Sequence, residues 1–147
     1  MKVSTRKISR RTLCSLLPLA ALPRRSVAEG EALSSAAFRF EDLPVTKSKR
    51  GNSQFRRIVK GKSPTGEQIE AHETVLQPGA APHPPHAHAH SELWLIREGT
   101  VELTLQGKKY KLGPGSAAFA AGKDEHGIRN IGTVPAIYFV VAVGPTA

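Results

Sequence analysis

Residues 86–99, HAHAHSELWLIREG, carry the side chains with the clearest potential for chemistry. His86 and His88 are separated by one residue, and Glu92 lies four residues after His88. A fourth donor, His126, lies far downstream in the segment DEHGIRN. Imidazole nitrogens suit Zn, Cu, Fe and Ni, and a carboxylate extends the range to Mn. If these four side chains converge, they can hold one divalent transition metal and leave coordination positions open for a substrate.

The local backbone favours a shared orientation for the first two histidines. Alternate side chains of an extended segment share a face, so His86 and His88 are expected to point the same way. The prolines before them, in Pro82-His83-Pro84-Pro85, restrict the backbone and reduce the entropy lost on ordering the pair. The alternative is a His-rich surface tract that binds metal adventitiously, in which case Glu92 and His126 are coincidental.

The elements that must position these residues are predicted to be strands. Past residue 37 no stretch shows the apolar spacing of an amphipathic helix. Glu92–Arg97 is mostly apolar and is expected to be buried on both faces. Short strands with turns every ~8–12 residues indicate a β-sandwich or barrel. The other predicted strands are Phe55–Val59, Gln68–Leu76, Val101–Leu105, Lys109–Leu112, Ser116–Ala121 and Ile137–Val143.

Two segments resemble the motifs of the cupin superfamily. The first cupin motif, G-x5-H-x-H-x3–4-E-x6-G, fits the segment that ends at Gly99, although Gly79 lies one residue further upstream. The second, G-D-x4-P-x-G-x2-H-x3-N, fits at Gly115, His126 and Asn130. The departures fall at turns and strand ends, where Ser116, Ala121 and Lys123 replace Asp, Pro and Gly. The resemblance spans residues 68–143.

The resemblance implies a fold and a metal site. The fold is an all-β double-stranded β-helix, the jelly-roll barrel of cupins. The implied metal ligands are His86, His88, Glu92 and His126, and the cofactor is one divalent transition metal: Fe, Mn, Ni, Cu or Zn. Residues expected near the metal or in the pocket are His72, His90, Trp94, Phe119 and Asn130.

Expectations for the surrounding residues are more specific. We expect His72 to be a hydrogen-bonded barrel residue, and His83 and His90 to be loop or mouth residues rather than ligands. Asn130 is expected to make structural hydrogen bonds. The aromatic and aliphatic residues Trp94, Ile96, Phe119 and Tyr138 are expected to form core, and some of them to line the pocket.

By analogy, the function is that of a metal-dependent oxidoreductase or dioxygenase acting on a small organic molecule. The alternative is a non-catalytic binding module for a metal, a sugar or another small ligand, or a cupin that has lost its metal. Single-domain cupins commonly pair, so a homodimer is expected.

Charge is concentrated at the start of the chain. The formal net charge is +9, but seven of the 21 basic residues lie in residues 1–28, which contain no acidic residue. The remainder has 14 basic and 12 acidic residues, so it gives no electrostatic case for nucleic acid. Three regions are therefore predicted: residues 1–28 as an export signal, 29–67 as strands and loops leading into the barrel, and 68–147 as the barrel.

The export prediction rests on the order of three features. A basic region precedes the short apolar stretch Leu13–Leu22, and Ser26-Val27-Ala28 offers small residues for cleavage. Ser9-Arg10-Arg11-Thr12-Leu13 resembles a twin-arginine signal, which implies transport of the folded protein to the periplasm. The stretch is too short to span a bilayer, and the residues before Cys14 do not favour a lipid anchor, so no stable membrane anchor is expected. If the signal is not used, the protein is cytoplasmic, and an isomerase or regulator becomes the alternative.

Overall fold

The structure, a computed structural model, describes residues 32–49 and 51–145. The predicted export signal lies outside these residues. The described chain contains one 3-10 turn at Phe40–Asp42 and no helix long and apolar enough to cross a membrane. Its strands are β1 (Val45–Lys47), β2 (Ser53–Lys62), β3 (Gln68–Leu76), β4 (Ser91–Glu98), β5 (Val101–Leu105), β6 (Lys108–Leu112), β7 (Ala117–Ala120), β8 (His126–Asn130) and β9 (Ala136–Gly144).

The strands form two antiparallel sheets, as the predicted jelly-roll barrel requires. One sheet has the order β1-β2-β3-β9-β4-β7, and the other has the order β6-β5-β8. Strand β9 lies between β3 and β4 and pairs with both, and β4 contains the predicted ligand Glu92. The core is apolar and fully enclosed at Leu76, Val101, Leu103 and Ala136. Burying each large side chain of this kind contributes about 1.5–3 kcal/mol.

The alternation of apolar and polar residues predicted several strands well. The bounds of β3 and β5 agree with the prediction, and β9 extends one residue further at each end. Strand β2 is longer than predicted, because a register shift between Arg57 and Val59 lets it continue along β3. A β-bulge of this kind bends a strand without ending its pairing.

Two burial predictions are wrong. Strand β4 is not buried on both faces, because Leu95 is 43% exposed while its neighbours Trp94 and Ile96 are buried. Phe119, expected in the core, is 60% exposed. The pairing of Leu93 with Phe119 places Phe119 on the face of the six-stranded sheet that points away from the core. Within residues 32–49 and 51–145 no layer of helices covers that outer face, so its apolar residues remain partly exposed.

The last glycine of the first motif is required by packing. Gly99 has φ +76° in the turn between β4 and β5, and an added Cβ would lie 2.7 Å from Ala136 Cα. A side chain at this position would therefore push the start of β9 away from the end of β4. The turn that follows the metal motif is thus fixed against the central strand.

Candidate metal centre

Three of the predicted ligands converge where the loop before β4 meets the start of β8. His86 and His126 exchange backbone hydrogen bonds, with N···O distances of 3.0 and 2.9 Å. The ring centroids of His86, His88 and His126 are 4.5–5.1 Å apart. Their candidate ligand nitrogens all lie within 4.8 Å of one another, and burial increases from exposed His86 to buried His126. The prediction that His86 and His88 point the same way is consistent with this grouping.

Strand β4 brings the carboxylate to the same place. Glu92 Oε1 lies 3.1 Å from His88 Nε2, and Glu92 Oε2 lies 3.7 Å from His126 Nε2. His90 Nε2 is also 3.3 Å from Glu92 Oε1, and its ring stacks on that of His88. His88, His90 and Glu92 form a second group of close ligand atoms. His88 and His126 thus lie close to Glu92 as well as to His86, and His90 lies beside Glu92.

Hydrogen bonds to the backbone fix the protonated nitrogen of two imidazoles. His88 Nδ1 lies 3.0 Å from the carbonyl oxygen of His90, and His126 Nδ1 lies 2.9 Å from that of Asp124. Since a carbonyl oxygen only accepts, each Nδ1 must donate. In the neutral ring the Nε2 atom then carries the lone pair, as in metal-binding histidines whose other nitrogen bonds a carbonyl.

The unprotonated nitrogens face acceptors or nothing. His126 Nε2 is enclosed and has no hydrogen-bond partner among the described residues. His88 Nε2 faces a carboxylate oxygen, and two lone pairs at 3.1 Å repel unless a proton or a cation lies between them. A divalent cation satisfies both atoms at once. The donor set therefore fits a transition metal held by His86, His88, Glu92 and His126.

The electrostatics keep His86 available as a ligand. Burial lowers its pKa, and the neighbouring His83, His126 and His88 lower it further, while Glu92 opposes them. A neutral imidazole is the form that binds a metal. His86 is thus in its ligating form at neutral pH.

The loop between β7 and β8 contacts the segment from His88 to Ser91 through its residues Gly122 and Lys123. Lys123 N donates to the carbonyl oxygen of His88 at 2.6 Å, and Gly122 N donates to Ser91 Oγ at 3.0 Å. A Cβ on Gly122 would lie 2.3 Å from the carbonyl oxygen of Ala89, so the two segments are in direct contact. These contacts were not predicted, because their only signal in the sequence is Gly122, one position before the glycine expected in the second motif.

Two residues of the candidate metal centre, Glu92 and His126, border a small cavity of about 190 Å³. Trp94, His126 and Glu92 line it from the metal side, and His72 and Tyr138 line it from β3 and β9. Burial raises the pKa of the Tyr138 hydroxyl, so that group stays protonated. Sequence reasoning did not identify Ser53, Gln54 and Phe55 of β2 as part of this wall. Their contribution depends on which face of β2 turns inward, and the bulge changes that parity along the strand.

The other predicted pocket residues have different outcomes. His72 lines the cavity but is not the hydrogen-bonded residue expected, because its enclosed Nδ1 has no partner among the described residues. Phe119 does not line the cavity, since it lies on the outer face of the sheet. Asn130 is fully buried and makes structural bonds: its Nδ2 donates to the carbonyl oxygens of Leu76 and Val134.

A larger groove of about 870 Å³ is lined in part by residues 82–85, the Pro-His-Pro-Pro sequence before His86. It is lined by exposed strand residues such as Arg129 and Lys109, and it shares Pro82, His83, Gly127 and Ile128 with the small cavity. None of the four predicted ligands lines this groove. The smaller cavity, which contains Glu92 and His126, is therefore the candidate substrate pocket, although the groove has the larger volume.

Comparisons with known proteins agree with the motifs. Residues 72–142 match the family model described as a cupin domain. None of the curated proteins matches the chain.

Solved structures share the architecture. An RmlC-like cupin from Shewanella frigidimarina has a TM-score of 0.64 at 18% identity, over 76% of this chain and 93% of the other. KdgF from a Halomonas species has a TM-score of 0.64 at 20% identity, over 76% and 96% of the two chains. A predicted oxalate decarboxylase from Thermotoga maritima has a TM-score of 0.61 at 16% identity, over 75% of this chain and 100% of the other.

The fold is thus the jelly-roll fold of cupins, and the matched region supports the cupin superfamily that the motifs predicted. At these identities the likeness to solved structures establishes the fold alone. The reaction has to be argued from the site.

Proposed function

We propose that the protein is a metal-dependent cupin oxidoreductase that acts on a small organic molecule. The observation that carries the proposal is that three converging imidazoles lie beside Glu92 and that two of these four side chains, His126 and Glu92, line a cavity. His126 Nε2 is the clearest ligand atom among them, because an enclosed nitrogen without a partner is costly unless a ligand satisfies it. The proposed ligands are His86, His88, Glu92 and His126.

The cavity supports a compact substrate. Its volume of about 190 Å³ is below the ~300–1,000 Å³ typical of sites for drug-sized ligands. No Lys or Arg lines it among the described residues, and its walls include Phe55, Trp94, Ile128 and Val140. A bound metal would supply Lewis-acid or redox chemistry at its open positions. The chain's own residues exclude water with apolar walls and hold the imidazoles in the ligating tautomer.

The first experiment tests the ligand set. Purified protein is loaded with Fe²⁺, Mn²⁺, Ni²⁺, Cu²⁺ or Zn²⁺ in turn, and bound metal is measured by elemental analysis. We expect one ion per chain, and a loss of binding of at least 10-fold in His88→Ala and Glu92→Gln. His83→Asn is the matched control, because it removes an imidazole from the same segment without removing a proposed ligand. Unchanged binding in His88→Ala and Glu92→Gln would contradict the proposed centre.

A further variant separates the two groups of donors. If the centre is the proposed one, His86→Asn loses metal and His90→Asn keeps it. The opposite result would place the metal on the local group of His88, His90 and Glu92.

The second experiment tests catalysis. Metal-loaded protein is incubated with a panel of small hydroxy acids, keto acids and phenols, and oxygen consumption and product formation are followed. Turnover that disappears in Glu92→Gln supports the oxidoreductase. Metal binding without turnover under every metal would instead support the non-catalytic binding module.

Export and pairing are proposed from the sequence. N-terminal sequencing of the protein from its native compartment should give a start at Glu29, and a start at Met1 would overturn the export proposal. Light scattering should give twice the mass of the mature chain if the homodimer forms.

A further inference from the structure

His72 lines the cavity that also contains two of the proposed metal ligands, Glu92 and His126. It belongs to β3 and pairs with Val140 of β9, which in turn pairs with Trp94 of β4. The three residues thus lie in one row across the sheet, and all of them line the cavity that contains Glu92 and His126. Trp94 stands on the metal side of the cavity, and His72 lies two strands away in the same row, roughly 10 Å across the sheet, so His72 can contact the far end of a molecule bound at the metal.

Neither ring nitrogen of His72 has a hydrogen-bond partner among the residues that the structure describes. Nδ1 is enclosed without a partner, and the ring packs edge-on against Phe55 with centroids 5.7 Å apart. Nε2 makes no hydrogen bond within the described residues, and it is not among their enclosed unpaired atoms. It is therefore the nitrogen of His72 that remains accessible.

The protonation state of His72 follows from its surroundings. Burial lowers its pKa, and the nearby charges of Glu70 and Glu92 only partly oppose that effect. The neutral ring has one N–H donor and one acceptor nitrogen. An enclosed N–H without an acceptor is the rarer and more costly state, by analogy with backbone N–H groups. The proton is thus favoured on Nε2, which makes that atom a donor to the cavity.

We propose that His72 is a specificity-determining residue that donates a hydrogen bond from Nε2 to an oxygen of the molecule held at the metal. The ligand class is a compact molecule that binds the metal through one end and carries an uncharged acceptor oxygen, a hydroxyl or carbonyl, at the other. A second carboxylate is disfavoured at that end, because the described cavity wall contains no Lys or Arg. The inference rests on the proposed metal centre.

The test uses cobalt as a spectroscopic metal and pairs of acids of equal size. Co²⁺-loaded protein is titrated with 3-hydroxypropanoate and butanoate, and with 4-hydroxybutanoate and pentanoate, and the visible absorption of the ion is recorded. Each hydroxy acid replaces a terminal methyl group by a hydroxyl, so only the acceptor differs. Wild-type protein should bind the hydroxy acid of one pair about 3- to 10-fold more tightly than its methyl partner.

Two substitutions at position 72 provide the decisive comparison. His72→Leu should abolish the preference while retaining one Co²⁺ per chain. His72→Gln should restore much of the preference, because its amide can donate, and it also covers the case in which His72→Leu does not fold. A merely structural role for His72 would lower the affinity for both members of a pair equally.

The outcomes distinguish this inference from the proposed function. Wild-type protein that binds Co²⁺ but shows no preference, or a preference that persists in His72→Leu, would overturn the role of His72 and leave the metal centre intact. Wild-type protein that binds no Co²⁺ by elemental analysis would overturn the metal centre, and the inference with it.

Discussion

The contact between Gly122 and the histidine segment gives a prediction that leaves every proposed ligand in place. In Gly122→Ala the new Cβ would lie 2.3 Å from Ala89 O and 3.1 Å from Ala89 C. Contacts of Cβ atoms are ordinarily at least 3.4 Å, so the carbonyl must move by about 1 Å. Ala89 lies between His88 and His90, and the displacement is therefore passed directly to a proposed ligand.

The expected effect follows from the tolerance of such sites. Side chains that bind a metal have to be held within ~0.5 Å of their working geometry, and loss of a supporting contact typically costs 10–100-fold in metal affinity. We expect Gly122→Ala to bind Zn²⁺ about 10–100-fold more weakly in isothermal titration calorimetry. Overpacking should also lower the free energy of unfolding by about 1–3 kcal/mol.

Two companion variants make this prediction refutable. Gly113→Ala is the control, because no atom lies within 4 Å of a Cβ at that position. Ser91→Ala removes only the bond from Gly122 N to Ser91 Oγ and should have a smaller effect in the same direction. Wild-type Zn²⁺ affinity in a folded Gly122→Ala protein, as judged by circular dichroism, would refute the idea that this contact positions His88.

Three other predictions concern stability. Lys123 has φ +74°, a left-handed conformation that costs an ordinary residue about 1–2 kcal/mol. Glycine adopts this conformation without that cost, so Lys123→Gly should raise Tm by about 3 °C even though glycine increases the entropy of the unfolded chain. A lower Tm would contradict this prediction. Asn130→Ala leaves the carbonyl oxygens of Leu76 and Val134 without their donor. Urea unfolding should therefore show a free energy of unfolding lower by about 2–4 kcal/mol. A decrease below about 1 kcal/mol would show that these bonds contribute little. Burial lowers the pKa of His72 in the folded state, so the unfolded chain takes up that proton first and metal-free protein should lose stability as the pH falls below about 6.5. Thermal unfolding between pH 8 and pH 5 should show a weaker decline in His72→Gln than in wild type, and equal slopes would exclude His72 as the source.

The fold could be predicted from the sequence because the alternation of side chains is local. Val101, Leu103 and Leu105 alternate with polar residues, and the strand has the bounds that this pattern predicts. The four proposed metal ligands were predicted because the spacing of His86, His88 and Glu92, together with the distant His126, resembles the two cupin motifs.

The remaining features depend on contacts between distant segments. Phe119 is apolar but exposed, because it lies on the outer face of its sheet, which no layer formed by the described part of the chain covers. Gly122 touches Ala89 across 33 positions of sequence, and no local pattern reveals that contact. The unpaired Nδ1 of His72 is also invisible in sequence, since it depends on which neighbours β2 and β9 present.

The backbone pairing of His86 with His126 has a consequence for the unfolded chain. An ion bound to both residues would cross-link positions 40 apart and enclose β4 to β7 in one loop that ends at the first residue of β8. If the ion stays on both residues when the chain unfolds, the loop-closure relation used for disulfides gives a loss of unfolded-chain entropy worth about 4 kcal/mol at 25 °C. The sequence has a single cysteine, Cys14, so no intrachain disulfide can provide this constraint. A metal at this position would therefore act as a reversible cross-link, and a chelator that removes it would lower the free energy of unfolding of the barrel as well as any activity.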